Sequence, residues 1–308
     1  MHYRHAWLLL AALTTMGCSS ARVEPPPFDG ERAFSYLVKQ VELGPRVPGS
    51  AAWSQARTLY NPHFQSLGIA IDSQSFGFFD PYSKTDKPLV NVMARAKGRR
   101  TDGLPLLFIA HYDSRPRTDR HSDPARRTDS LAGANDGASG VAILMELANL
   151  FAAKPPAVDV ELLLVDGEDW GEEGDPDFYL LGARYFASQG IHGKYRFGIV
   201  IDLVGDKNLD IHRETYSERF NQPLNDMVWA TAKRLSLPGF QDMTRHTVLD
   251  DHLPINAGGV PAIVLIDFDY PHWHTERDIP ENCSAESLAQ VGRLLAEIAY
   301  NESLWPKK

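Results

Sequence analysis

Four short apolar runs alternate with helical patterns, and this alternation constrains the fold more than any other feature of the chain. The runs span residues 104–110, 158–165, 197–203 and 260–266. Continuous apolar runs of this length suit strands that are covered on both faces. Helical periodicity occupies residues 138–153, 178–189, 219–235 and 284–300. The alternation predicts a three-layer αβα fold with a central, twisted sheet that is mixed but mostly parallel.

The residues before the first of these runs predict two further helices and two further strands. Apolar residues at helical spacing indicate a helix over 29–41. Ser50 is a candidate N-cap for a second helix that ends near Leu67, with Pro62 as a point of bending. Strands are predicted over 69–79 and 89–96, joined by a polar turn.

Composition is that of one ordinary globular domain, predicted over residues 29–308. Hydrophobic residues make up 43% of the chain and charged residues 23%. The formal charge of -9 excludes general nucleic-acid binding, which requires a basic surface. The two cysteines are Cys18 and Cys283, and we expect no disulfide between them because Cys18 belongs to a processed N-terminal segment. Cys283 is predicted to be a buried, inert thiol.

Residues 1–21 have the features of a signal peptide. Arg4 precedes an apolar stretch over 6–13 that is too short to span a bilayer. Residues 15–18, Thr-Met-Gly-Cys, resemble a bacterial lipoprotein box, although a large aliphatic residue is more usual where threonine stands. The alternative is ordinary cleavage after residues 19–21, Ser-Ser-Ala. Both predict export to the periplasm or cell envelope, the first with a lipid anchor on Cys18. Residues 22–28 are predicted to be a proline-rich spacer.

Metal-binding and proton-transferring side chains follow the predicted strands at their carboxyl ends, where sites form in open α/β sheets. They belong to four strand ends and include imidazoles and carboxylates: His111, Asp113, Glu168, Asp169, Asp202, His272 and His274. Each motif taken alone is compatible with a polar turn or an acidic loop. Together they predict a functional site at one edge of the sheet.

Asp136 lies among small residues, in the stretch Gly133 to Gly140, directly before the predicted helix over 138–153. Glycine on both sides allows a ligand or an ion to come close to the backbone. The helix would hold the Asp136 carboxylate rigidly at its N-terminal end. The alternative interpretation is a simple helix cap.

Zinc prefers imidazole nitrogen and carboxylate oxygen, and a catalytic zinc site keeps one position open. Asp136, Asp169 and His274 supply three such ligands from three distant segments. His111 and Asp202 could complete a second set that shares Asp136. Asp113 is placed to accept a hydrogen bond from an imidazole.

The segment over 114–130 is rich in arginine and aspartate. We predict a solvated loop of mixed charge. The alternative is a role at the rim of the site.

With these residues assembled, the chain resembles peptidase family M28, and more closely its glutaminyl-peptide cyclotransferase branch. The similarity extends from about residue 34 to residue 300. It is carried by the motifs at 44–50 (GPRVPGS), 111–114 (HYDS), 133–136 (GAND), 165–169 (VDGED), 181–184 (LGAR), 201–205 (IDLVG), 250–254 (DDHLP) and 273–275 (WHT).

The resemblance implies a role for each matched residue. Asp136, Asp169 and His274 would be zinc ligands, and Glu168 would be the acid/base group. Asp202 and Asp250 would form a carboxylate network beside the substrate, and Trp273 would wall the pocket. One departure stands out, because Glu168-Asp169 replaces the usual Glu-Glu and the second carboxylate is one methylene shorter.

The expected activity is conversion of an N-terminal glutamine of peptides or proteins to pyroglutamate, with release of ammonia, by a monomer that carries one zinc ion. The alternative is an aminopeptidase with two zinc ions, since all five positions of a dinuclear site are present. A third interpretation is an envelope binding protein that keeps the fold without catalysis. The sequence leaves these three open.

Overall fold

A central six-stranded sheet organises the molecule. The structure is a computed structural model that describes residues 22–307. Its strands are β1 (Ala70–Asp80), β2 (Thr85–Ala96), β3 (Leu106–His111), β4 (Val160–Val165), β5 (Gly198–Asp202) and β8 (Ala262–Ile266). Their spatial order is β1-β2-β4-β3-β5-β8. The last four are parallel, whereas β1 and β2 run antiparallel at one edge.

Helices cover both faces of this sheet. They are α1 (Gly30–Glu42), α2 (Ala51–Ser66), α3 (Ala138–Ala153), α4 (Leu181–Ser188), α5 (Thr215–Arg234), α6 (His252–Ala257) and α7 (Ala285–Tyr300). One face of the sheet is covered by α1, α2, α3, α5 and α7. The other face is covered by α4 and α6. The predicted three-layer αβα architecture is confirmed.

Side chains along each parallel strand point alternately to the two faces of the sheet, so the core has two halves. In β3, Phe108 and Ala110 belong to the larger cluster under α1, α3 and α7, while Leu107 and Ile109 belong to the cluster under α4 and α6. Successive side chains of a strand point to opposite faces of the sheet. Every residue of β3 and β4 is buried, which explains why these strands read as continuous apolar runs.

A second, two-stranded sheet was not predicted. It pairs β6 (Ile211–Arg213) with β7 (Phe240–Thr244) in parallel. The first strand has three residues, and the second is polar and largely exposed, so neither forms an apolar run. Short 3-10 turns complete the fold at Pro124–Arg126, Pro176–Phe178, Pro280–Asn282 and Glu302–Leu304.

The proline-rich segment lies against the domain. Arg22 forms an ion pair with Glu297 at 2.9 Å, and the Val23 amide donates to Asn301 Oδ1 at 2.7 Å. Both partners lie at the C-terminal end of α7. The segment predicted as a spacer is therefore extended but docked. The predicted signal peptide and Cys18 lie outside the described residues, and among residues 22–307 no helix combines the length and apolarity needed to cross a bilayer.

Candidate active site

A cavity of about 270 Å³ opens at the carboxyl ends of the parallel strands. Seven of the residues singled out from the sequence line it: Asp136, Glu168, Asp169, Asp202, Asp250, Trp273 and His274. His111 and Asp113 are buried and do not line the cavity. The structure thus brings together side chains separated by more than a hundred residues.

The turn that carries Asp136 is held by a carboxylate that sequence reasoning missed. Asp278 accepts hydrogen bonds from the Asn135 amide at 2.8 Å and from the Asp136 amide at 3.2 Å. Gly137 has a φ of 91°, and a Cβ there would lie 2.7 Å from the Asp113 carbonyl oxygen. Only glycine fits this close approach. No sequence motif marked Asp278.

Asp113 orients the backbone of Glu168 and Asp169. Its Oδ1 accepts from the Glu168 amide at 3.2 Å, and its Oδ2 accepts from the Asp169 amide at 3.4 Å. We expected Asp113 to accept from an imidazole. The His111 Nδ1 atom is 3.6 Å from Asp113 Oδ1, which is longer than a hydrogen bond. Asp113 therefore positions the acidic segment rather than the histidine ring.

Asp136, Asp169 and His274 converge on a common point, with one potential ligand atom from each within 4.8 Å of the others. His274 Nε2 lies 3.3 Å from Asp169 Oδ2 and 3.7 Å from Asp136 Oδ2. His274 has a φ of 58°, a left-handed conformation that is uncommon outside glycine and costs about 1–3 kcal/mol.

Two oxygens in this group are unsatisfied. Within residues 22–307, neither Asp136 Oδ2 nor Asp169 Oδ2 has a hydrogen-bond donor, and both atoms are buried. Leaving a buried polar atom unpaired costs about 1–3 kcal/mol, and more when it is charged. These are the two oxygens that face His274. A zinc ion fits this donor set, which combines two carboxylates and one imidazole.

A second group of potential ligands, formed by His111, Asp136 and Asp202, shares Asp136 with the first. His111 Nε2 lies 3.1 Å from Asp202 Oδ1 and 3.3 Å from Asp136 Oδ1. Burial lowers the pKa of His111, but Asp202 and its other carboxylate neighbours outweigh burial and raise that pKa well above its usual value. His111 therefore lies among carboxylates that favour the charged form of its ring.

A third group, formed by Asp210, His212 and Asp269, lies outside the cavity. Arg245 Nη1 approaches His212 Nε2 to 3.3 Å and Asp269 Oδ2 to 3.0 Å. An arginine thus already supplies the positive charge at this group.

Glu168 and Asp250, two carboxyl groups of the cavity, hold protons unusually tightly. Burial raises the pKa of Glu168 well above its usual value, and the Asp169 charge adds to this effect. Burial and the Asp202 charge raise the pKa of Asp250 to about 7. The pKa of Asp250 suits a group that exchanges protons near neutral pH.

An aromatic wall faces the carboxylates. The Trp273 ring lies 4.0 Å from the His274 ring and 5.0 Å from the Phe268 ring, between centroids. The Arg120 guanidinium carbon sits 4.3 Å from the centre of the Trp273 ring. Leu249 is 45% exposed and extends the apolar lining of the cavity. Sequence reasoning found Trp273 but missed Phe268 and Leu249.

The arginine-rich segment reaches the site, so the prediction of a solvated loop is wrong for its first half. Arg115 is 1% exposed, and Asp119 and Arg120 line the cavity. Residues 122–130 are exposed, as expected. The alternative interpretation, a role at the rim, describes the first half correctly. Burial lowers the pKa of Arg115, but the Asp169 carboxylate outweighs it, and the pKa is raised above its usual value.

Comparison with known proteins defines the class to which this fold and site belong. The model of peptidase family M28 matches residues 91–299. The chain belongs to peptidase family M28.

Among the similar proteins are glutaminyl-peptide cyclotransferases, the branch of family M28 that the sequence motifs resemble. A glutaminyl-peptide cyclotransferase from Bothrops jararaca is 25% identical over 287 residues, which cover 81% of this chain and 75% of the relative. The crystal structure of Bacteroides thetaiotaomicron glutaminyl cyclase bound to N-acetylhistamine superposes with a TM-score of 0.85 at 30% identity, over 91% of this chain and 100% of that one. A Zn-dependent exopeptidase from Parabacteroides distasonis gives the same TM-score, identity and coverage.

Proposed function

We propose that the protein is a zinc-dependent glutaminyl-peptide cyclotransferase, which converts the N-terminal glutamine of peptides or proteins to pyroglutamate and releases ammonia. The observation that carries this proposal is the pair of unsatisfied oxygens on Asp136 and Asp169, which face His274 beside Glu168. The cyclotransferase relatives of similar sequence and fold support the same activity.

The proposed metal ligands are Asp136, Asp169 and His274. A zinc ion held by them would supply Lewis-acid polarisation of the glutamine side-chain amide oxygen. His111 and Asp202 lie next to this group, with His111 Nε2 3.1 Å from Asp202 Oδ1.

Glu168 is the proposed proton carrier. It takes a proton from the substrate α-amine as the nitrogen attacks the side-chain amide carbon, and one C–N bond forms. It then returns the proton to the amide nitrogen, the original C–N bond breaks, and ammonia leaves. General acid–base catalysis of this kind contributes roughly 10²–10⁴-fold to the rate. The raised pKa of Glu168 suits both the uptake and the return of the proton.

The cavity walls hold the reacting groups together. Asp250 and Asp202 give the cavity a negative lining for a substrate that arrives with a free α-amine. Trp273 and Phe268 form the apolar wall that would hold the methylene groups of the glutamine side chain. Holding the amine close to the amide carbon turns the cyclisation into a strongly favoured intramolecular step.

The second candidate is an aminopeptidase with two metal ions, favoured because the residues of a second ligand set are present and because an exopeptidase shares the fold. That reaction requires an activated water, whereas in cyclisation the nucleophile belongs to the substrate. The cyclotransferase relatives of similar sequence and fold favour cyclisation.

Two peptides of identical sequence except for an N-terminal Gln or Leu distinguish the candidates. We expect the Gln peptide to lose one molecule of ammonia with its chain intact, and the Leu peptide to remain unchanged. An N-acetylated Gln peptide is the control, since it has no free amine. Release of free amino acids from either peptide contradicts the proposal. The absence of zinc-dependent turnover on both peptides favours the non-catalytic binding protein.

We also propose that the protein is exported and held at the cell envelope by a lipid on Cys18, and that its catalytic domain acts as a monomer. Cys18→Ser should move the protein from the membrane fraction to the soluble fraction without changing its turnover of the Gln peptide. An unchanged distribution contradicts the anchor.

A further inference from the structure

Arg115 is the most deeply buried arginine beside the cavity. It lies two residues after Asp113 in the arginine-rich segment, and 1% of its surface is exposed. A guanidinium is costly to bury unless its donors are paired. The acceptors of its N–H groups therefore show which parts of the site Arg115 holds.

One branch of the guanidinium holds Asp169. Arg115 Nη1 donates to Asp169 Oδ1 at 2.5 Å and to the Asp169 carbonyl oxygen at 3.2 Å. The Asp169 Oδ1 atom is thereby occupied. Its other oxygen, Oδ2, has no donor within the described residues and lies 3.3 Å from His274 Nε2. Arg115 thus determines which oxygen of Asp169 faces the proposed metal position.

The other donors reach the opposite side of the site. Arg115 Nε donates to Asp119 Oδ2 at 2.5 Å, and the same Asp119 oxygen lies 3.7 Å from His274 Nδ1. Arg115 Nη2 donates to the Tyr179 hydroxyl at 3.2 Å. The guanidinium therefore links Asp169 to Asp119.

We propose that Arg115 is a positioning residue of the metal site, which holds Asp169 Oδ1 and so turns Asp169 Oδ2 towards the proposed metal position. The inference rests on the proposed zinc site. It also explains how aspartate can stand at position 169, where glutamate is usual. Arg115 donates to Asp169 Oδ1 and holds the shorter side chain in place.

The planar fork of the guanidinium, and not only its charge, is required for this role. Arginine donates in divergent fixed directions, whereas lysine is a point charge on a flexible stem. Arg115→Lys keeps the charge but cannot hold Asp169 and Asp119 together. A purely electrostatic role predicts unchanged zinc binding in this variant, and a positioning role predicts weaker binding.

The test measures the zinc dissociation constant of the full chain by competition with a chromophoric chelator. We expect Arg115→Lys to weaken zinc binding about 10- to 100-fold, the range found for residues that orient metal ligands. We also expect its Co²⁺-substituted form to show an altered visible spectrum, because ligand geometry changes. Neither readout depends on catalytic activity.

Arg117→Lys is the matched control. Arg117 belongs to the same segment, and its Nη1 donates to the carbonyl oxygens of Trp170 and Gly171 at 2.7 and 2.8 Å. It therefore holds the loop beside Asp169 without touching a proposed ligand. We expect this variant to keep the zinc affinity and the Co²⁺ spectrum of the parent protein.

The proposal is overturned if folded Arg115→Lys binds zinc with the parent affinity and spectrum, or if the parent protein binds no zinc. Should Arg115→Lys not fold, Asp119→Ala decides, since Asp119 is partly exposed and its carboxylate holds Arg115 Nε in place. We expect Asp119→Ala to weaken zinc binding at least about threefold, and parent affinity there overturns the proposal. A parent protein that binds zinc but does not cyclise Gln peptides refutes the proposed function alone.

Discussion

Glu168 and Asp169 are adjacent carboxylates with different surroundings. Asp169 pairs with Arg115 at 2.5 Å, and this arginine lowers the pKa of Asp169 despite its burial. Glu168 has no such cation, so burial raises its pKa. The first is suited to bind a cation, and the second is suited to carry a proton.

Removing the proton-carrying ability of Glu168 should therefore separate catalysis from metal binding. We expect Glu168→Gln to lower turnover of a Gln peptide by roughly 10²–10⁴-fold while the bound zinc is unchanged. Turnover is measured by ammonia release, and zinc by atomic absorption. Glu172→Gln, at an exposed position of the same loop, is the control. Loss of zinc from Glu168→Gln would show that the roles of base and ligand are exchanged.

Removing a proposed zinc ligand should instead abolish both zinc binding and turnover. We expect Asp136→Ala and His274→Ala to lose zinc and turnover together, because each deletes one of three converging donors. Asp269→Ala is the control, since Asp269 belongs to the group already balanced by Arg245. Full zinc content in either ligand variant contradicts the assignment.

Asp267 provides a prediction about stability. Burial raises its pKa to about 7, above that of an unfolded aspartate. A raised acid pKa means that the folded state binds the proton more tightly, so stability falls as pH rises towards 7. We expect Asp267→Asn to be more stable than the parent at pH 8, by up to about 4 kcal/mol, and to show no gain below the unfolded-state pKa. Urea unfolding at pH 8 and near pH 4 measures this difference, and an equal effect at both pH values contradicts it.

At the scale of elements, the turn before α3 fixes the position of Asp136. A Cβ on Gly137 would contact the Asp113 carbonyl oxygen at 2.7 Å, whereas Gly190, which also has a positive φ, has open space around it. We expect Gly137→Ala to cost more stability than Gly190→Ala, by about 1–3 kcal/mol, and to weaken zinc binding. Urea unfolding compares the two variants. Equal costs would show that the close approach at Gly137 does not constrain the turn.

Elements with a strong pattern could be predicted from the sequence. The helix predicted over 138–153 matches α3 residue for residue, because its apolar face is long and regular. The helix predicted from residue 219 begins instead at Thr215 and is broken at Asn221, two residues before Pro223. Proline lacks the amide needed to continue the helical hydrogen bonds. The short β6 and β7 could not be predicted, because their pairing depends on contacts distant in sequence.

The candidate site was predictable where the fold places residues at strand ends. His111, Glu168 and Asp202 follow buried strands, and parallel strands end at the same edge of the sheet. The burial of Arg115 could not be predicted, because composition shows that a segment is charged but not which charge finds a partner. Asp278 was missed because two of the three donors to its carboxylate among residues 22–307 are backbone amides, which carry no sequence signal, and the third is the Tyr270 hydroxyl.

At the scale of the whole molecule, the docked proline-rich segment and the cavity lie at opposite ends of the sheet. Arg22 is held at the C-terminal end of α7, and the cavity lies at the carboxyl ends of the parallel strands. The Ala157 amide, shortly before β4 begins, donates to the Ala299 carbonyl oxygen near the end of α7. An anchor on Cys18 would therefore leave the cavity open to peptides on the side away from the membrane.

The most direct test of the central claim is a zinc titration of metal-free protein, followed by turnover of a Gln-initiated peptide. We predict that ammonia release rises with added zinc and reaches its maximum at one ion per chain, as expected if Asp136, Asp169 and His274 form the single metal site. Activity that requires a second ion, or that releases free amino acids instead of ammonia, would contradict the account.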